Sequence, residues 1–393
     1  MYNIFGYISF ALMFVLAFAT ARYRSASIIH ADGRIGCIDG LRGILALAVV
    51  GAHFPLAFIF ASSGKWETPR LFIFQSVGAV AVICFFMITA MLFYRKVILD
   101  RRKIDWFGLY KGRVFRLLPA YVLLVISIVT IASFMTGRLP SVNQDNIKAL
   151  VAWLTFTLPG PRRFNEYAGT YFIPASVTWT LRYEWLFYAS LPFFALVFRP
   201  ILRASMRVLV ISFFIIIVYI SRDLNVKSFS SQTAVIFLFG MLVAEVASIG
   251  LGARYLHGML GSLVATAGLC ASFCFENYSV QQTVSVFLFF LPIALGNNFF
   301  GILSRKEAVL LGDASYSIYL FHGVVLFILV QASVPAGTAE ISPLHWLMLP
   351  IAGAITAALS MAVYAGIEKP FIEMGKSRSQ KRWPPASRQA SPP

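Results

Sequence analysis

Apolar runs long enough to cross a membrane recur along the whole of this chain, at about residues 4–21, 38–60, 71–94, 114–135, 176–198, 206–221, 231–249, 255–274, 282–302, 308–331 and 345–366. Each suits a hydrocarbon layer ~30 Å thick when wound as an α-helix. A backbone in lipid must satisfy its own hydrogen bonds, which leaves helices or closed barrels. A barrel would show short alternating segments instead. The chain therefore reads as an all-α polytopic membrane bundle of about 11 transmembrane helices. Its 393 residues are 59% hydrophobic and 12% charged, more apolar than a soluble core requires.

Lysine and arginine are retained on the cytoplasmic side of a membrane. With the N-terminus outside, most of the 33 basic residues fall on inner loops and ends, and the odd number of spans places the C-terminus inside. The net charge of +17 then records topology and attraction to anionic membrane lipids, and needs no nucleic-acid partner. The opening run ends in "ATA" at residues 19–21, like a signal cleavage site, but no positive charge precedes it and "RYR" follows, so a retained helix is expected. Residues 1–33 read as this extra helix and a basic linker, 34–372 as the main membrane domain, and 373–393 as a disordered basic cytoplasmic tail. "ALVAWLTFTLPG", at 149–160, is too short to cross and reads as a re-entrant or surface helix.

Four segments carry polar groups where lipid would exclude them. In "IDGLRGILALAVVGAHF", residues 38–54, Arg42 and His53 lie 11 positions apart, hence about 20° apart in direction and about 16 Å in height on a helix. Asp39 stands to one side. Pro55 withholds the donor for the Gly51 carbonyl and is expected to loosen the helix beside His53. Arg42 and Asp39 have ordinary readings as a snorkelling charge and a helix cap, whereas an imidazole deep in a span usually faces a cavity or a partner. In "WTLRYEWLFY", residues 179–188, Glu184 reaches nearly the depth of His53 and needs a partner, with Arg182 and His53 both candidates. A carboxylate beside His53 would orient the ring and raise its basicity. In "KGRVFRLLPAY", residues 111–121, Arg113 and Arg116 share a helical face and offer a fork for phosphates, although positive-inside topology alone accounts for them equally well. In "LGDASYSIYLFHG", residues 311–323, His322 reaches about the depth of His53 and is open to three roles: second catalytic group, substrate donor or core residue. The five histidines show no metal-binding spacing, so no metal site and no permanently bound cofactor are expected. The four cysteines read as packing residues.

In this order the segments, with "VICFFMITAMLF", "FLFGML" and the closing "IEKPF", resemble membrane acyltransferase family three, the bacterial O-acyltransferases that modify cell-envelope polysaccharides and related molecules. The matching stretches run from residue 38 to 371. Members typically carry ten spans with the Arg-x10-His helix first; this chain places the 4–21 helix ahead of it, and no counterpart of the hydrolase-like domain fused to some members is expected. The resemblance implies transfer of an acyl group, most often acetyl, from cytoplasmic acyl-CoA as co-substrate to a hydroxyl of a glycan or lipid-linked sugar, in a bacterial inner membrane. It implies His53 as the catalytic histidine, Glu184 as its family glutamate, and Arg42, Arg113 and Arg116 as the donor-binding arginines. Acceptor contacts are expected from Trp179, Tyr183 and His322, and from Arg162 and Arg163 with the nearby Tyr167 and Tyr171. Direct transfer and an acyl-histidine intermediate would use the same residues. A transporter or flippase, with Arg42, Glu184 and His53 as a proton or anion pathway, stays open as the alternative class.

Overall fold

A computed structural model describes residues 2–24, 36–67, 71–100, 102–201, 203–220, 230–250, 252–338 and 340–376, the side chains of residues 2, 3 and 24 excepted. The expected basic linker from residue 25 and the tail beyond 376 lie outside the described residues. The helices are α1 Tyr2–Arg24, α2 Gly36–Ser63, α3 Phe72–Tyr94, α4 Trp106–Thr136, α5 Gln144–Leu154, α6 Trp179–Phe198, α7 Ala204–Ile220, α8 Ser231–Ile249, α9 Ala253–Leu256, α10 Met259–Ser272, α11 Val280–Ala294, α12 Lys306–Asp313, α13 Ser315–Ser333, α14 Pro343–Trp346, α15 Met348–Val363 and α16 Lys369–Gly375. Single π-helical turns, Arg95–Leu99 and Tyr364–Glu368, extend α3 and α15.

Every apolar run of the sequence holds a helix. Seven segments among the described residues are long and apolar enough to cross a membrane: Ile4–Tyr23, Gly36–Ser63, Phe72–Leu99, Trp106–Thr136, Ser231–Ile249, Ser315–Ser333 and Pro343–Gly375. α7, α10 and α11 are apolar but shorter, and α6 carries Arg182 and Glu184 within its 20 residues. The protein is a multi-pass helical membrane bundle. Lipid-facing surface is legible on α7, where Leu209, Phe213, Ile216 and Ile220 recur at helical spacing and are all exposed. The 149–160 run divides into the end of α5, an 11-residue helix capped by the Asn143 side chain, and a following turn.

α2 sits at the centre, packed on α3, α12 and α13, while α1 lies chiefly against α15. α2 runs unbroken through Pro55, because its neighbours hold it where one backbone bond is missing. Its first turns approach the next layer at backbone distance: a Cβ on Gly40 would collide with the Leu303 carbonyl, and one on Gly312 with the Asp39 carbonyl. Small residues permit such contact where lipid gives helices no hydrophobic reason to associate. Elsewhere a buried ion pair ties α7 to α8: Arg207 Nε and Nη2 donate to the two Glu245 carboxylate oxygens at 2.5 and 3.0 Å, and Tyr94 Oη donates to the same carboxylate from the end of α3 at 2.5 Å. Bidentate geometry with a third donor satisfies a carboxylate with no exposed surface.

The collision at Gly312 makes a test. Gly312→Ala should lower stability by about 1–3 kcal/mol through overpacking. Gly112→Ala, with nothing within 4 Å of the new Cβ, should raise it by about 0.5–1 kcal/mol through helix propensity. Thermal unfolding in detergent reads both.

Candidate active site

Three arginines meet at one end of the bundle. α4 supplies Arg113 and Arg116 and α2 supplies Arg42, which pairs with Asp39 at 3.4 Å. Asp39 stands in the first turn of α2, where the helix dipole favours a carboxylate. Arg42 lies within electrostatic reach of Arg113, Arg116 and Asp313. Two tyrosines anchor this stretch of α4: Tyr110 Oη donates to the Tyr188 carbonyl at 3.0 Å, and Tyr316 Oη to the Leu117 carbonyl at 2.9 Å. The Arg113 guanidinium lies 4.9 Å from the centre of the Phe93 ring, a cation–π geometry. Glu368, from the closing "IEKPF", is fully buried, accepts a hydrogen bond from Ser317, and lies in electrostatic reach of Arg42 and Arg116.

These arginines open onto a cavity with about 850 Å³ of empty space, its mouth included, lined by Arg42, Arg113, Arg116, Glu184, Tyr188 and Tyr319 among apolar neighbours. Mostly apolar walls with a few convergent polar groups are the character of a ligand site of this size. Glu184 takes its hydrogen bonds inside the cavity wall, from Tyr188 Oη at 2.7 Å and Thr89 Oγ1 at 3.2 Å. Its carboxylate is thus engaged by hydroxyls, with neither Arg182 nor the His53 ring among its hydrogen-bond partners. Arg182 instead stands 5.6 Å from the Tyr183 ring centre.

The structure pairs the two deep histidines. His322 Nε2 lies 3.3 Å from His53 Nδ1, and the Nδ1 atoms of His53 and His322 lie 2.9 and 3.2 Å from the carbonyls of Val49 and Ile318, one helical turn back. His322 is fully buried and His53 half-buried. The cavity approaches the pair through Tyr319: this side chain lines the cavity, its ring centre lies 6.0 Å from that of His322, and its hydroxyl bonds Thr180 at 2.9 Å. Beside His53 also stands Trp66, 6.3 Å away between ring centres, stacked on Phe172 at 5.0 Å and flanked by Phe60. The loop carrying Phe172 fits against α13 because residue 323 is glycine; a Cβ there would strike the backbone of Pro174 and Ala175.

Of the residues expected to meet the acceptor, His322 alone contacts His53. Arg162 and Arg163 are exposed, and neither they, Trp179 nor Tyr183 line the cavity. Trp179 is packed edge-on among Phe86, Tyr183 and Tyr278, and the Tyr183 hydroxyl accepts from the Ser230 N–H at 3.3 Å.

Residues 35–365 match the family described as an acyltransferase domain. The chain belongs to this acyltransferase family. It is 26% identical over 317 residues to the exopolysaccharide production protein ExoZ of Rhizobium meliloti (strain 1021), covering 77% of this chain and 92% of that protein. It is 24% identical over 373 residues to the O-acetyltransferase OatA of Staphylococcus aureus (strain NCTC 8325 / PS 47), covering 86% of this chain and 58% of that one. No solved structure matches it.

Several side chains of this acyltransferase's site carry little sequence signal. Tyr188 is the exception, four residues after Glu184 and so on the same helical face. Trp66 lies in a connection with no periodicity, and Tyr319 looks like any aromatic in a span. A half-buried carboxylate in a mostly apolar wall depends on its donors, so Tyr188→Phe should lower stability by about 1.5–3 kcal/mol, the worth of a hydrogen bond to a charged group. Glu184→Gln should cost less, because the amide oxygen still accepts. Unfolding midpoints of the two purified variants give the order.

Proposed function

We propose that this membrane acyltransferase moves an acyl group, most often acetyl, from cytoplasmic acyl-CoA to a hydroxyl of a cell-envelope polysaccharide or lipid-linked sugar. The observation that carries the reading is one cavity lined by three arginines, whose wall at Tyr319 adjoins a paired imidazole with Trp66 beside it. Guanidiniums bind phosphates as bidentate donors, so Arg42, Arg113 and Arg116 suit the phosphates of the donor. Helix arithmetic gives about 16 Å from the level of Arg42 to that of His53, a span for the extended thioester arm once Tyr319 yields. His53 takes the acceptor hydroxyl's proton as its oxygen attacks the thioester carbonyl. The carbon–sulfur bond breaks, and the thiolate leaves with that proton.

The names of ExoZ and OatA favour a polysaccharide hydroxyl and an acetyl group. The sugar enters from the periplasmic face over Trp66 and Phe172, whose rings offer stacking surface. The orientation this requires, arginines inside and Trp66 outside, agrees with the distribution of basic residues and supports a bacterial cytoplasmic membrane with the N-terminus outside.

Mass spectrometry of envelope glycans from cells with and without the gene tests the reading; an unchanged acetyl content would overturn it. Within it, His53→Ala should reduce transfer at least about 100-fold while membranes still bind labelled acetyl-CoA. Arg113→Ala and Arg116→Ala should each raise the donor KM about 10-fold, the equivalent of one charge-assisted hydrogen bond. Loss of donor binding in His53→Ala, or an unaltered donor KM in both arginine variants, would contradict these roles.

A further inference from the structure

We propose that His322 is the positioning residue of the catalytic imidazole, a neutral hydrogen-bond acceptor in the place where hydrolytic triads use a carboxylate. The inference rests on the acyl-transfer reading above and gives His322 a part in it that differs from acceptor contact. It starts from proton bookkeeping. A carbonyl oxygen accepts and never donates, so the ring nitrogens facing the Val49 and Ile318 carbonyls, both Nδ1, carry hydrogen. A neutral imidazole then holds its lone pair at Nε2. The Nε2 of His322 is directed at the Nδ1–H of His53, 3.3 Å away. The opposite tautomer of His322 would set two lone pairs, Nδ1 and the Ile318 carbonyl, against each other in a side chain that is 0% exposed, at the cost of a buried unsatisfied acceptor.

The result is a directed chain: His53 Nδ1–H is shared between the Val49 carbonyl and His322 Nε2, and His322 Nδ1–H ends on the Ile318 carbonyl. The Val49 carbonyl sets the tautomer of His53, leaving its Nε2 as the ring's lone pair for the acceptor hydroxyl. His322 adds a second acceptor off the helix axis, which fixes the plane of the ring. When Nε2 takes the acceptor's proton, positive charge spreads to Nδ1–H, and its hydrogen bond to His322 becomes charge-assisted. His322 stabilises that imidazolium without receiving its proton, as the buried carboxylate does in a serine triad. Gly323 belongs to the same device, since its missing Cβ lets the Pro174–Ala175 backbone close over this turn of α13.

The test compares His322→Leu with His322→Gln in the full-length protein in lipid nanodiscs, with acetyl-CoA as donor and base-deacetylated envelope polysaccharide as acceptor. A residue that merely fills space is better replaced by leucine, whereas an acceptor of the His53 hydrogen is better replaced by glutamine, whose amide oxygen accepts. Turnover should fall about 100-fold in the leucine variant with the donor KM unchanged, and glutamine should restore most of it. Nitrogen NMR of the histidine-labelled protein should find hydrogen on both Nδ1 atoms, with the His322 Nε2 resonance moving when His53 is replaced by Phe. Hydrogen on His322 Nε2, or a leucine variant as active as the glutamine one, overturns the proposal. If the resonances are as described while the native protein transfers no acetyl in this assay, the pairing stands and the acyl-transfer reading fails; transfer at the native rate by His53→Ala would remove His53 from the reaction and overturn the proposal.

Discussion

Everything at the centre of this protein depends on one constraint: a polar side chain within the thickness of a lipid bilayer must find its partner inside the bundle. Water is not there to take its place, and each unsatisfied group costs several kcal/mol. α2 meets the constraint at two depths, Arg42 against Asp39 at one end and His53 against His322 and a backbone carbonyl further along. Glu184 meets it through Thr89 and Tyr188, and Glu245 through Arg207 and Tyr94. Each partner comes from another helix or another turn, so the polar groups fix how the helices sit.

The apolar framework works with these pairs. Helices in lipid gain nothing from hiding hydrophobic faces, so close packing depends on backbones that approach within van der Waals contact. Gly40 and Gly312 allow it at the start of α2, which holds Asp39 and Arg42 against the α12 layer. Gly323 allows it beside His322. The glycines set the distances at which the polar groups meet, and a cavity persists between α2, α3, α4, α6 and α13 where bulky aromatics line the walls.

Much of this is legible in the amino-acid sequence. The apolar runs locate the helices because each must be apolar on nearly every side to live in lipid. Arg42 and His53 stand out because charge and imidazole are rare there, and their 11-residue spacing puts them on one face by helix geometry alone. The arginines of α4 are legible for the same reason and do join Arg42 around one cavity. Less visible are the relations between helices. Glu184 matches the depth of His53, and depth alone favours their contact; the structure gives its hydrogen bonds to Thr89 and Tyr188. Trp179 and Tyr183 share the motif of Glu184, yet a helix turns by about 100° per residue, which directs them into an aromatic cluster outside the cavity lining.

The sequence by itself determined the class of the molecule, the positions of its helices and the few residues that a membrane would exclude without a use for them. These follow from composition and from the period of a single helix, both local properties. Tertiary structure decided the partners: that the second histidine turns its Nε2 to the first, that Trp66 stands beside His53, and that Tyr319, in the cavity wall, stands beside His322. Such contacts arise from the rotation and tilt of one helix against another, which depend on packing among many side chains at once and leave no periodic trace in the chain.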